Sequence, residues 1–173
     1  SHRFRVLAPL GDETPALRAL VRAREDLVGA KVALANQLRA QLDASWAGGA
    51  RVFAAIDSPI ALAFLARYPS PAEARSLGPK RLASFLARHS YCGRRSPEEL
   101  LARLRSAPVA ALAEAEAEAR RTAVAGLVGA LAQIVAEIRR LEAEIAGAVR
   151  SHPDGEIFLS FFRGPKSVLT AAG

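Results

Sequence analysis

From Leu17 onward the apolar residues recur in steps of three and four. Leu17, Leu20, Val21, Leu27, Val28, Leu34, Ala35, Leu38 and Leu42 fall on one stripe, while Arg22, Glu25, Arg39 and Asp43 fall off it. That period predicts a long amphipathic helix. Arg24 and Lys31 intrude at seam positions, where long stems can lie along apolar surface with their charges in water. Thr14-Pro15 is the expected start, since a capping hydroxyl followed by a proline suits the first helical position. Gly48-Gly49 is the expected end. Roughly 30 residues of helix would span about 45 Å at 1.5 Å per residue.

A second long segment follows Pro108. Val124, Leu127, Leu131, Ile134, Ile138, Leu141, Ile145 and Ala148 alternate spacings of three and four, the period that keeps one apolar stripe facing a partner. Glu137, Arg139, Arg140, Glu142 and Glu144 flank it, and Arg140 and Glu144 are spaced to pair across one turn. Gly126 and Gly129 either weaken this helix or admit a close neighbour. Ser151-His152-Pro153-Asp154-Gly155 ends it.

Between the two lie short helical candidates at about 51–56, 59–67, 71–77, 80–89 and 97–106, the first expected to merge with the second. Ser70-Pro71, Gly78-Pro79 and Ser96-Pro97 supply starts, and Glu99 completes a capping box with Ser96. The expected core of this insert is Phe53, Ile56, Ile60, Leu62, Phe64, Leu65, Leu82, Phe85, Leu86, Leu100, Leu101 and Leu104. No two-residue alternation suggests a strand. The predicted fold is all-α: two long antiparallel coiled-coil-like helices over 14–150, with a small basic helical insert at about 50–107 between them.

Composition agrees, with 51% hydrophobic but only 6% aromatic residues, which favours helices packed through small aliphatic side chains. No apolar run approaches the ~18 residues that suggest a membrane span, and SHRFRV lacks the apolar core of a signal peptide. With one cysteine, Cys92, no internal disulfide is possible, and a cytoplasmic location is expected. The chain contains no methionine, so a piece of a longer protein is expected.

The formal net charge of +7 is concentrated centrally: residues 51–105 carry ten basic groups against four acidic. Charge of that density requires an acidic partner or a well-solvated face. Lys80, Arg81, Arg88, Arg94, Arg95, Arg103 and Arg105 form the candidate nucleic-acid-binding set. Lys80 and Arg81 follow Gly78-Pro79 at a predicted helix start, where free backbone N–H groups favour phosphate. Tyr91, beside Arg94 and Arg95, either stacks on a base or belongs to the core. Leu127, Leu131, Ile134, Ile138, Leu141 and Ile145 form the candidate self-association seam, because a two-helix hairpin leaves apolar edges open to a second copy.

Catalysis has little support. His2, His89 and His152 stand in no metal-ligand spacing with Cys92 or a carboxylate, and surface or structural roles are expected for all three. Asp12-Glu13 suits acids near a helix start, and adjacent residues such as Glu25-Asp26 do not converge on one ion. Glu114, Glu116 and Glu118 read as a solvated face. Arg94 and Arg95 would activate the Cys92 thiol if they approached it, but a buried inert thiol is expected.

Several stretches together carry a family resemblance: SHRFRVLAP at the start, LRALVRAREDLVGAKVALANQLRAQLD (Leu17 to Asp43), DSPIALAFLARYPSP, YPSPAEARSLGPKRLASFLARHSYCGRRSPEELLARL (Tyr68 to Leu104), and HPDGEIFLSFF near the end. Their order and spacing resemble the middle region of bacterial transposases of the insertion sequence one-ten family. That family has a RuvC-like nuclease domain first and a serine-bearing transposase domain last. The resemblance implies that residues 1–13 leave the upstream domain and that residues 151–173 begin the downstream one. Residues 160–173 would then be loosely held, with Ser167 and Thr170 at most caps. The chain would be a connector for dimerisation and nucleic-acid positioning in transposition, its partners DNA, a guide RNA and a second copy, with no membrane. Metal-binding acids and the nucleophilic serine belong to the two flanking domains, and no position here matches either motif. No catalytic or metal-binding residue and no cofactor is therefore assigned to this chain, Mg²⁺ is implied for the full-length family, and the chain alone is expected to be inactive. The alternative is a stand-alone helical scaffold or nucleic-acid-binding module.

Overall fold

Proline at the first helical turn starts four helices in succession. In the computed structural model, which describes residues 13–151, these are α3 (Pro59–Arg67), α4 (Pro71–Ala74), α5 (Pro79–Arg88) and α6 (Pro97–Arg105). They are preceded by α1 (Glu13–Ser45) and α2 (Ala47–Arg51) and followed by α7 (Glu114–Arg150). The described residues contain no strand, so the fold is all-α. All but the last residue of the expected domain exit (1–13), all but the first residue of the expected downstream entrance (151–173), and the whole of its loosely held part (160–173) lie outside the described residues. Since α1 is already helical at Glu13, Thr14-Pro15 falls inside its first turn.

The caps are local and sharply drawn. Ser58 Oγ accepts the Ala61 N–H at 3.3 Å. At α6 both halves of the capping box form: Ser96 Oγ accepts the Glu99 N–H at 3.2 Å, and Glu99 Oε2 accepts the Ser96 N–H at 2.8 Å. Each satisfies a backbone donor that the first turn leaves free. Helix α5 ends with Ser90 at φ 52°. The Ser90 N–H bonds the Ala87 carbonyl at 3.2 Å and the Tyr91 N–H bonds the Leu86 carbonyl at 2.9 Å. That pair of bonds is a Schellman ending, with serine in the left-handed position glycine usually takes.

Residues 29–136 form one unit. Its core gathers Leu38 and Leu42 of α1, Trp46, the α3 residues Ala61, Leu62, Phe64 and Leu65, and Leu82, Phe85 and Leu86 of α5. Leu100, Leu101 and Leu104 of α6 and Val124, Val128 and Leu131 of α7 complete it. Phe64, with no exposed surface, is the hub, its ring 5.6 Å from Phe53, 5.1 Å from Tyr68 and 5.9 Å from Phe85. Every expected insert core residue is buried except Ile60, which packs on the core half-buried. Ion pairs edge the unit: Lys31 with Asp57 at 3.6 Å, and Arg121 with Glu73 at 2.8 Å.

Two predicted helices are corrected. The 51–56 helix is displaced to Ala47–Arg51, and Gly48-Gly49, expected to end a helix, lies inside it. Trp46, 2% exposed, breaks α1 at φ −153° and drives its indole into the core. Gly48 and Gly49 are needed where the chain passes closely: a Cβ on Gly48 would run into the Leu104 carbonyl, and one on Gly49 would sit 2.7 Å from the Trp46 ring. The 71–77 helix stops at Ala74, because Leu77 turns inward to 1% exposure, its N–H bonding the Ala74 carbonyl at 3.1 Å.

The second unit comprises, among described residues, 13–28 and 137–151. Ile138, Leu141, Ile145 and Val149 are buried along one face of α7. Arg24 Nε donates to Glu142 Oε1 at 3.0 Å, and Arg140 bridges Glu137 at 2.9 Å and Glu144 at 2.6 Å. Those two carboxylates hold the Arg140 pKa above its ordinary value, Glu137 contributing most.

Candidate nucleic-acid interface

Helix α5 divides its residues cleanly. Leu82, Phe85 and Leu86, at steps of three and one, face the core, and Lys80, Arg81, Ser84 and Arg88 are exposed. Against this outer face stand Ala63, Ala66, Arg67 and Tyr68 from α3 and its end, and the two sets enclose a groove of about 700 Å³ that His89 also lines. Four permanent cations border it, and none of its lining residues is a carboxylate. None of the four forms an ion pair among the described residues. Arg81 reaches only the Ser76 hydroxyl, at 3.5 Å, and Ser84 Oγ donates to the Lys80 carbonyl at 3.1 Å. Arg67 lies over the Tyr68 ring at 5.3 Å. Cations left without carboxylates around one concave surface give it a positive potential.

The predicted set of seven separates into three groups. Lys80, Arg81 and Arg88 share the groove. Arg94 and Arg95 are exposed on the α5–α6 loop and do not line it. Arg103 and Arg105 are occupied structurally: Arg103 donates twice to the Arg51 carbonyl, at 3.0 and 2.7 Å, and Arg105 donates to the Leu77 carbonyl at 2.8 Å. These guanidinium groups tie α6 to the end of α2 and to the turn before α5, and they do not line the groove, whereas Arg67 and His89 do. Their joining depends on α3 packing beside α5, and no local spacing announces that.

Tyr91 takes the core reading. It is half-buried, 5.8 Å edge-on from Phe53, and its hydroxyl fills the space beside Gly93. Cys92 is corrected: the thiol is exposed, not buried, because the chain turns Tyr91 inward and its neighbour outward. Among the described residues no three His, Cys, Asp or Glu side chains gather as a metal site.

Of the seam residues, Leu131, Ile138, Leu141 and Ile145 are already buried within the single chain, while Leu127 and Ile134 are half-buried. A Cβ added at Gly126 or Gly129 would meet nothing within 4 Å, so no neighbour among the described residues approaches these glycines. An 18-residue window of α7 is apolar enough, by length and composition, to cross a membrane. This corrects the expectation that no such stretch exists: alanine together with valine, leucine and isoleucine raises its hydropathy. No family model, curated protein or solved structure matches the chain.

Proposed function

We propose that this chain is a non-catalytic helical connector of a transposase of the insertion sequence one-ten type, and that it positions nucleic acid during transposition. The resemblance in order and spacing of its sequence blocks supports the transposase. The observation that carries the nucleic-acid role is the carboxylate-free groove bordered by Arg67, Lys80, Arg81 and Arg88. Phosphates bound there would displace condensed counterions, so affinity should fall steeply with salt and vary little with sequence.

Charge reversal of those four residues to Glu tests this reading. It should abolish binding to DNA and RNA at low salt while helicity is unchanged, because all four side chains stand outside the core. Unchanged affinity would reduce the groove to solvated surface. The transposase assignment is tested in the genomic reading frame: an upstream RuvC-like domain and a downstream serine-bearing domain support it, and stop codons on both sides oppose it. In that setting Mg²⁺ would serve the flanking domains.

The connector reading includes two long antiparallel helices. Supporting this, Arg24 pairs with Glu142 within one unit and Gln41 with Arg120 within the other, so each unit by itself holds a stretch of α1 beside a stretch of α7. Self-association through these helices would use the half-buried Leu127 and Ile134. We also propose that α7 spans no membrane and that the protein is cytoplasmic. The uncharged stretch Thr122–Ala136 reaches about 22 Å at 1.5 Å per residue, short of the ~30 Å hydrocarbon core.

A further inference from the structure

The groove has aromatic as well as cationic walls. His89, at the end of α5, is exposed, and its imidazole leans on Phe85 with centroids 4.4 Å apart and planes 40° apart. Phe85 is itself 7% exposed and is held edge-on by Phe64 at 5.9 Å and Tyr68 at 6.3 Å. The imidazole is therefore braced on one side and available on the other. On the facing wall Arg67 repeats the arrangement, a planar cation supported by the Tyr68 ring beneath it. Lys80, Arg81 and Arg88 complete the lining with cations alone.

We infer that this groove takes single-stranded nucleic acid, with one base stacked on His89, another on the Arg67 guanidinium, and the intervening phosphates on Lys80, Arg81 and Arg88. This rests on the groove being the nucleic-acid site. Two planar groups braced from behind and open in front suit base faces, and paired bases keep those faces for their own neighbours. A duplex keeps its base faces stacked inside the helix, so it would offer this open groove only its phosphates. The lining holds no Asn, Gln, Asp or Glu, side chains that read base edges by hydrogen bonding, so the strand is held with little regard to sequence. Because every base has a π-face and both sugars carry the same phosphate, DNA and RNA strands share this chemistry.

The test uses the full chain and fluorescence anisotropy with oligothymidylate, oligouridylate and a mixed-sequence DNA duplex of equal length. The expected result is at least about tenfold tighter binding of a single strand than of the duplex, and comparison of the two strands reports any preference between DNA and RNA. His89→Ala should weaken single-strand binding about tenfold, the loss of one stacked base, and leave duplex binding unchanged. His89→Tyr, which keeps an aromatic face, should restore it. Arg67→Lys, which keeps the charge and removes the plane, should weaken only the single strand. A 2-aminopurine placed in the strand should be quenched by the parent and less so by His89→Ala. Duplex binding as tight as single-strand binding, or a His89→Ala variant that binds the strand like the parent, would overturn the inference and leave the groove a general phosphate site. Failure of every nucleic acid to bind at low salt would overturn the proposed function with it.

Discussion

The Leu104 carbonyl stands where a Cβ on Gly48 would have to go, so the backbone of α2 rests directly on the end of α6. No side chain separates them. Arg103, one residue before Leu104, closes the same junction by donating to the Arg51 carbonyl.

Gly48→Ala is therefore expected to destabilise the protein by about 1–3 kcal/mol, the usual cost of forcing atoms into a filled site. Gly126→Ala is the opposite case, an exposed helical glycine with nothing within 4 Å of the added carbon. It should stabilise by up to about 1 kcal/mol. Urea melts of the two variants check both signs, and equal stability for Gly48→Ala and the parent would show that the junction yields.

Ser90→Gly should stabilise by about 0.5–1 kcal/mol, because Ser90 holds φ 52° in a Schellman ending where glycine meets no Cβ penalty. The gain is partly offset by the added freedom of the unfolded glycine chain. Thermal denaturation reads the shift, and a fall in stability would mean that the serine side chain contributes more than its backbone costs.

Arg103 and Arg81 should separate stability from binding. Arg103→Ala removes two charge-assisted bonds to one carbonyl and is expected to lower stability by about 1 kcal/mol with little change in nucleic-acid affinity. Arg81→Ala, with only a long contact to Ser76, should lower affinity and shrink its salt dependence at unchanged stability. Paired melts and titrations decide, and the reverse pattern would make Arg103 a nucleic-acid contact and Arg81 a structural one.

Along α7, Ile138 is 7% exposed and Ile134 half-buried. Ile138→Asp buries an unpaired charge and should unfold its surroundings, seen as lost helicity. If the long helices self-associate, Ile134→Asp should instead lower the mass measured by light scattering with helicity retained. A monomeric parent at micromolar concentration, folded and stable, would remove self-association from the proposal.

Plasmid nicking is the remaining check. The chain alone is expected to cut no supercoiled DNA with Mg²⁺ or Mn²⁺. Nicking that disappears on changing one acidic residue of the chain would establish an active site in it.

Helix starts were legible in the sequence because capping is local. Ser96 and Glu99 reach each other across three residues, and proline presets its own φ, so α4, α5 and α6 begin at the expected prolines. The apolar period likewise marked Leu38, Leu42, Leu131 and Ile138 as inward-facing, since a helix repeats its geometry whatever it packs against. The tertiary structure decided the rest. Gly48-Gly49 resemble a helix terminus until the Leu104 backbone comes to lie against Gly48 and the Trp46 ring against Gly49. Arg103 and Arg105 resemble free cations until carbonyls distant in the chain accept their hydrogen bonds, and Cys92 is exposed because Tyr91 turns toward Phe53. Arg67 joins Lys80, Arg81 and Arg88 only when α3 packs beside α5. Charge and hydropathy belong to single residues and are written in the sequence, whereas burial and pairing belong to residues far apart in the chain, and folding alone brings those together.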